Sequence, residues 1–238
     1  AMREYLGAAD VTFSRNRLKA GVTLAAYGYN RGNGRKVQEY NRYQMYDGLW
    51  GNASFNLLWS VGHLRTFAEV ALDMGLRTAA LAGVVWSPSY GFEVSVTGRH
   101  YPYNYIASHA GAWSRSSAVA NQSGLLCACQ IRPNENLAVN LSSEMVHFPY
   151  SRFRVSGPSD AVWSSAAIQW EKGLWRWSVR DNFKWQSQDG SQRHSLKGMV
   201  GVKGAWCGLS CRMSSSVVKL PERELQCGFA LGMDAETK

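Results

Sequence analysis

Hydrophobic and polar residues alternate along thirteen segments of this chain. Because side chains along a β-strand point to opposite faces in turn, this alternation predicts strands with one apolar and one polar face. Residues 49–61 show the pattern, since Phe55 and Trp59 fall on one face and Ser54 and Asn56 on the other. The predicted strands cover residues 4–14, 18–29, 49–61, 65–72, 79–87, 92–100, 124–131, 137–146, 161–170, 174–185, 194–203, 205–217 and 225–234.

The connections between these segments are short turns and generally longer polar loops, in strict alternation. Short turns on one side of a sheet and long loops on the other are typical of up-and-down barrels that cross an outer membrane. The short connections lie near residues 15–17, 62–64, 88–90, 132–136, 171–173 and 204. The longer connections lie near residues 30–47, 73–78, 101–123, 147–160, 186–193 and 218–224.

A soluble β-sandwich also alternates, with its apolar face inward, and it is the alternative fold. Many of the predicted strands run nine to thirteen residues, which exceeds the usual length in soluble sheets and suits a tilted bilayer crossing. Trp and Tyr residues collect at strand ends, as they do at membrane interfaces. These residues are Trp59, Trp86, Tyr90, Tyr101, Trp170 and Trp185.

We therefore predict an all-β fold, a transmembrane up-and-down antiparallel β-barrel in the outer membrane of a Gram-negative bacterium. No stretch approaches the roughly 18 consecutive apolar residues of a membrane helix, so a membrane crossing would be by strands. One barrel domain is expected over residues 1–238. Since bacterial barrels have even strand numbers, thirteen strands predict an incomplete domain, within a native barrel of sixteen or more strands.

Composition and charge add two expectations. The formal net charge of +9 points to an acidic partner, such as nucleic acid or anionic lipid, or to a solvated basic surface with basic turns. Five cysteines fall in register with the apolar faces, where a thiol acts as a small apolar group, and we predict that all five are free. They are Cys127, Cys129, Cys207, Cys211 and Cys227. Their spacing gives no zinc or redox motif, and neither a metal nor a cofactor is predicted.

The polar faces of strands ten to twelve carry only basic charges. Neighbouring strands lie about 4.8 Å apart, so these side chains would form one electropositive wall in the lumen. Walls of Arg and Lys favour anions in pores. The alternative is that acidic residues of a plug, a loop or further strands pair with them. The wall consists of Arg176, Arg180, Lys184, Lys197, Lys203 and Arg212.

The predicted loop over residues 101–123 is aromatic, with Tyr101, Tyr103, Tyr105 and Trp113. Such a loop can bind a glycan or a partner protein, or it can fold into the mouth of the barrel. No catalytic residues are predicted. The five His residues lie in turns or near loops, but no serine has the G-x-S-x-G context of a hydrolase nucleophile.

Two stretches resemble a known family. Residues 66–72 with 79–88, and the loop over residues 147–159, are similar to an outer-membrane β-barrel family of Bacteroidota whose members often carry helix-hairpin-helix repeats upstream. The family-like loop contains Phe148, Pro149, Tyr150, Arg152 and Phe153. The resemblance implies a barrel that continues for several strands beyond this chain. It supplies no catalytic residues, and the helix-hairpin-helix part has no counterpart here.

Three functions follow as expectations. The first is a porin-like channel or transport component with a partly basic lumen. The second is a non-transporting barrel subunit that anchors an outer-membrane assembly through its extracellular loops. The third is passage or uptake of DNA, which rests on the family resemblance and the basic charge. The expected partners are outer-membrane lipid, other outer-membrane or periplasmic proteins and, third, nucleic acid.

Overall fold

The structure is a computed structural model, and it is all-β. It describes residues 3–32, 34, 36–45, 47–188, 190–203, 207–220 and 223–237, without the side chains of residues 203, 207–208, 220, 223–225 and 235–237. The strands are β1 Glu4–Arg15, β2 Leu18–Tyr29, β3 Gly48–Val61, β4 Leu64–Asp73, β5 Thr78–Ser89, β6 Phe92–Tyr101, β7 Gln122–Asn134, β8 Leu137–Phe148, β9 Ser159–Lys172, β10 Trp175–Gln186, β11 Gln192–Lys203, β12 Cys207–Leu220 and β13 Arg223–Thr237.

All thirteen strands form one antiparallel sheet, and their order in the sheet is their order along the chain. The predicted all-β, up-and-down arrangement is therefore confirmed. The described residues include no α-helix and one short 3-10 helix, Glu39–Asn41, between β2 and β3. Most observed strands extend the predicted ones by one or two residues. The predicted start of the twelfth strand at residue 205 lies outside the described residues.

The chain divides into two compact units. Unit 1 comprises residues 1–85, 96–125 and 146–159, and unit 2 comprises residues 86–95, 126–145 and 160–238. In unit 1, Ser54 lies opposite Thr23 of β2 and Ala71 of β4, whereas Phe55 lies opposite Val22 and Val70. Directly opposite residues share a face, so polar and small residues collect on one face and apolar ones on the other.

Unit 2 has the same two faces. Arg180 of β10 lies opposite Ala167 of β9 and Lys197 of β11, and the neighbouring Val179 lies opposite Ile168 and Gly198. In each unit we call one face the polar face. It is the face with Ser54 in unit 1 and the face with Arg180 in unit 2. Asp181 is an exception to the pattern, because it lies within β10 on the apolar face, opposite Ala166 and Leu196.

Four of the short connections, at residues 16–17, 62–63, 90–91 and 173–174, are two-residue turns with a left-handed backbone conformation. Asn16, Gly62 and Gly173 have φ values of 52°, 55° and 58°. Such conformations match the twist of the paired strands and favour Gly or Asn. Gly91, with φ 80°, also leaves room for the carbonyl of Arg132, against which a Cβ would clash. The turn near residue 204 lies outside the described residues.

The longer connections mostly follow the prediction, with one exception. Residues 30–47, 102–121 and 149–158 are long and largely irregular. The connection predicted over residues 218–224 is instead short, because β12 extends to Leu220 and β13 begins at Arg223. Pairing along both strands, from Cys207 with Thr237 to Leu220 with Arg223 with one irregularity between Val218 and Leu220, accounts for the difference.

Among the described residues, no helix is both long and apolar enough to span a membrane.

Candidate functional site

The predicted basic wall lies on the polar face of unit 2. Arg180 of β10 lies opposite Lys197 of β11, and the next polar-face pair, Met199 and Arg212, continues the row into β12. Antiparallel pairing brings directly opposite Cβ atoms to about 5 Å, so the basic residues of neighbouring strands form one patch. Lys203 belongs to β11, and its side chain lies outside the described residues.

Acidic residues of the flanking strands neutralise two members of the wall. Two nitrogens of the Arg176 guanidinium, Nε and Nη2, donate hydrogen bonds of 2.9 Å each to the Glu171 carboxylate of β9. Arg212 forms an ion pair of 3.2 Å with Asp234 of β13. These two arginines therefore have acidic partners, but not the plug, loop or further strands that the predicted alternative named. The partners come from neighbouring strands of the sheet.

Lys184 and Arg180 lie on the same strand in different surroundings. The Lys184 ammonium lies 5.7 Å from the centre of the Trp163 ring, directly across the β9–β10 pair. Arg180 and Lys197 are exposed, and no acidic residue pairs with either of them in the described part of the chain. Two like charges directly opposite each other destabilise a sheet. A bound anion would relieve this repulsion.

A cavity of about 450 Å³ opens beside these two residues. Small residues of β9 and β13 make the space, among them Ala167, Ala230 and Gly232. The cavity can offer an anion the cations Arg180 and Lys197, together with Arg212, whose charge Asp234 partly offsets, and hydroxyl and amide donors, as phosphate or carboxylate recognition requires. These donors belong to Arg180, Lys197, Arg212, Ser178, Ser214 and Gln169.

The aromatic loop of unit 1 folds back onto the polar face of its own unit. Tyr101 and Tyr105 are buried, with 2% and 3% of their surface exposed. Tyr103 is 40% exposed, and Trp113 lies under the Arg99 guanidinium at 4.2 Å. The burial of Tyr101 and Tyr105 agrees with the second of the two predicted alternatives, in which the loop folds inward. Tyr101 is therefore not part of an exposed girdle at the strand ends.

Hydrogen bonds from the sheet fix the middle of this loop. The Ile106 amide donates to the Asp73 carboxylate at 3.0 Å, and the Ile106 carbonyl accepts from Asn52 Nδ2 at 2.9 Å and Trp50 Nε1 at 3.2 Å. The Ser108 amide donates to the Tyr27 hydroxyl at 3.0 Å. The Asp73 side chain is fully buried and forms an ion pair of 2.7 Å with Arg77.

Burial also changes the acidity of this loop. It raises the pKa of Tyr105 to about 12, and the hydrogen bond from Asn52 opposes that effect. Nearby Asp73 and Glu69 raise the pKa further, because their negative charges disfavour a phenolate. Tyr105 is therefore a neutral phenol at any physiological pH.

The family-like loop packs against the aromatic loop. Tyr150 stacks on Tyr103 with ring centres 5.1 Å apart, and Tyr43 meets both rings edge-on at 5.4 and 5.1 Å. Asn121 fixes Tyr150, because its side chain accepts from the Tyr150 amide and donates to the Tyr150 carbonyl. The three tyrosines therefore join the three long loops of unit 1.

Arg152 and Phe148 form the buried base of the family-like loop. Phe148 is fully buried, and the Arg152 guanidinium lies 3.7 Å from its ring centre. Arg152 also donates to Ser159 at 2.9 Å, and burial lowers the pKa of its guanidinium. Pro149 follows Phe148 at the end of β8, while Phe153 is 62% exposed at the tip and touches Tyr40 edge-on. These contacts are structural ones within unit 1.

The apolar faces carry the cysteines, as predicted. Cys127, Cys129, Cys211 and Cys227 are free thiols, and three of them are exposed. The side chain of Cys207 lies outside the described residues. His100 Nδ1 lies 2.7 Å from Ser123 Oγ, but no carboxylate orients this imidazole in the described part of the chain.

Asp73 lies opposite Asn52 on the polar face of unit 1, and sequence reasoning missed its role as the anchor of the aromatic loop. Strand alternation gives the face of a residue and carries no information about a loop that returns from a distant point of the chain. Glu171 and Asp234 were missed as partners of the basic wall for a different reason. Both partners follow from the register of β9 and β13 with their neighbouring strands. A comparison of the polar faces of β9 to β13 could have found them.

No protein-family model matches this sequence, and no curated protein matches it significantly. The resemblance to a Bacteroidota outer-membrane family stays a prediction.

Proposed function

We propose that this chain forms part of a transmembrane β-barrel in a bacterial outer membrane and acts there as a channel or transport component. The observation that carries the proposal is the two-faced sheet. Large apolar side chains are exposed along one face, as at Val11 (74%), Phe55 (51%) and Leu209 (62%). Strands of ten to fifteen residues are long enough to cross a bilayer, in which such side chains would contact lipid.

The polar face of unit 2 supports transport of anions. Arg176, Arg180 and Lys184 alternate with Trp175, Trp177 and Val179 along β10. Basic residues facing lipid cost about 2–4 kcal/mol each at the bilayer midplane, whereas a water-filled lumen accommodates them. The patch around Arg180 and Lys197 would attract small anions such as phosphate. Its exposure would let them leave again, which conduction requires.

Planar-bilayer conductance tests this function. The reconstituted protein should conduct with a preference for anions, and Arg180→Glu should weaken or reverse that preference while the protein still folds. Arg17→Glu, in the turn between β1 and β2, makes the same charge change outside the patch and should leave the preference unchanged. Absence of conductance in the folded wild-type protein would contradict the channel function.

The joined loops of unit 1 favour a second candidate, a barrel subunit that anchors an outer-membrane assembly. The tyrosine cluster holds three loops together, and Phe153 is exposed at the tip of one of them. Phe153→Ser would then abolish co-purification with the assembly and leave conductance unchanged. DNA passage, the third expected function, rests on the net charge of +9 and the family resemblance. Block of the conductance by a DNA duplex, without block by inorganic phosphate, would favour it.

A further inference from the structure

Unit 1 contains a second cavity, of about 240 Å³, between its sheet and the aromatic loop. Residues of β2 to β6 line one side, and loop residues from Tyr105 to Val119 close the other. Most of the wall is apolar. Alanine methyl groups such as Ala71, Ala79 and Ala112 alternate with the buried rings of Tyr101 and Tyr105.

The polar groups of this cavity are mostly committed to each other. The Tyr27 hydroxyl donates to Asn52 at 2.9 Å, and Asn52 donates to the loop carbonyl of Ile106. The Thr23 hydroxyl donates to Asp10 at 2.7 Å. These groups hold the walls in place, and their bonding capacity is largely used within the protein.

Glu69 differs from the other polar groups. It is half-buried on β4 among the cavity residues, and within the described part of the chain it forms neither a hydrogen bond nor an ion pair. Arg77 pairs with Asp73, and His109, which also lines the cavity, lies 2.8 Å from Glu4. A carboxylate against an apolar wall is costly unless a cation or a donor satisfies it.

We propose that this cavity binds a small organic cation, a primary ammonium group on a short apolar chain, with the ammonium on Glu69. The alanine methyls suit the chain, and the faces of Tyr27, Tyr101 and Tyr105 attract a cation. A hard metal ion fits poorly, because Ca²⁺ needs six to eight oxygen ligands. No group of three acidic, His or Cys side chains occurs together in the described residues.

The cavity volume limits the ligand to a few heavy atoms beyond the ammonium group. A polar cation such as guanidinium would leave the alanine methyls without contacts. An anion would meet the Glu69 carboxylate. The site therefore selects by charge at one end and by apolar contact at the other, which is how pockets fix the orientation of a ligand.

Titration calorimetry with n-butylammonium tests the proposal on the folded protein in detergent, against an empty-micelle blank. Butan-1-ol and butyrate serve as the neutral and anionic probes of similar size. Butylammonium should bind at least about tenfold more tightly than either, because a hydrogen bond to a charged group contributes more than a neutral one. Equal binding of butylammonium and butan-1-ol, or no binding of butylammonium, would overturn the proposal.

Two variants test the contribution of the Glu69 carboxylate and that of the cavity volume separately. Glu69→Gln keeps the shape and should lose about tenfold in butylammonium affinity while butan-1-ol binding persists. Ala112→Leu fills the cavity from the loop side and should weaken both probes, with Glu69 intact. Glu93→Gln removes a carboxylate of unit 2 that accepts from Ser87, and it should change neither. Wild-type affinity in Glu69→Gln would refute the role of the carboxylate.

Discussion

The cavity of each unit is lined by residues of neighbouring antiparallel strands, but different elements close the two cavities. All residues that line the basic cavity of unit 2 belong to β9–β13, whereas the aromatic loop closes the cavity of unit 1. Their charges also differ. The first contains the cations Arg180 and Lys197 opposite each other, and the second contains the carboxylate of Glu69.

This difference shows how one strand pattern can serve opposite chemistries. On an open strand face, charge depends only on which residues the alternation places there. In the cavity of unit 1, the packed tyrosines and alanines exclude water. The Glu69 carboxylate then determines which charge a ligand must carry. The comparison predicts that each cavity can be removed without affecting the other.

Loss of the loop anchor should have the largest effect. Asp73→Ala leaves Arg77 without its buried partner and removes the acceptor of the Ile106 amide. Breaking such a pair costs about 3–5 kcal/mol, so the free energy of unfolding should fall by that order. Limited proteolysis should then cut within residues 102–121, and butylammonium binding should disappear.

Phosphate binding to unit 2 should survive this change, because residues of β9–β13 line that cavity and Asp73 belongs to unit 1. Simultaneous loss of both binding activities in a folded Asp73→Ala protein would contradict the independence of the two cavities.

A smaller effect is expected from Lys197→Glu. The substitution turns a like-charge pair with Arg180 into an opposite-charge pair across β10 and β11. Opposite charges at such positions contribute about 0.2–1 kcal/mol, so the protein should become slightly more stable. Inorganic phosphate should no longer bind, as measured by calorimetry. Lys197→Gln is the matched control: it removes the like-charge repulsion without adding an attraction, so phosphate binding should weaken and the gain in stability should be smaller than in Lys197→Glu. Undiminished phosphate binding in Lys197→Glu would exclude this pair as the anion site.

The pH dependence of Tyr105 tests whether the aromatic loop is closed over the sheet. Because its pKa in the folded protein is about 12, the folded state keeps a proton that the unfolded state loses above about pH 10. The contribution of Tyr105 to stability is therefore complete below pH 10 and is lost as the pH rises through 12. The phenolate absorbance of the wild type minus that of Tyr105→Phe should show one group titrating near pH 12. Titration near pH 10 would mean that the loop is not closed over the sheet.

Strand alternation was sufficient to predict the number and order of the strands and the faces of the basic residues. Alternation is informative here because each strand is long and one face is largely apolar, with Asp181 as an exception, so a shift of one residue would move every polar side chain to the apolar face. Arg180 and Lys197 are on the predicted face for this reason.

Contacts between distant parts of the chain could not be predicted in the same way. The return of the aromatic loop onto Asn52 and Asp73 depends on side chains more than thirty residues apart. The sequence shows these residues as ordinary polar positions of two strands. The pairing of Arg176 with Glu171 was closer to prediction, since the two lie opposite each other across a two-residue turn.

The sidedness of the sheet is the central claim, and accessibility of spin labels in lipid vesicles tests it most directly. Single cysteines would replace Ser178 and Val179, neighbours on opposite faces of β10, after removal of the native cysteines. The label at residue 179 should collide with oxygen, which concentrates in lipid, and the label at residue 178 with a water-soluble nickel chelate. Equal nickel accessibility at both positions would contradict the membrane-facing apolar surface.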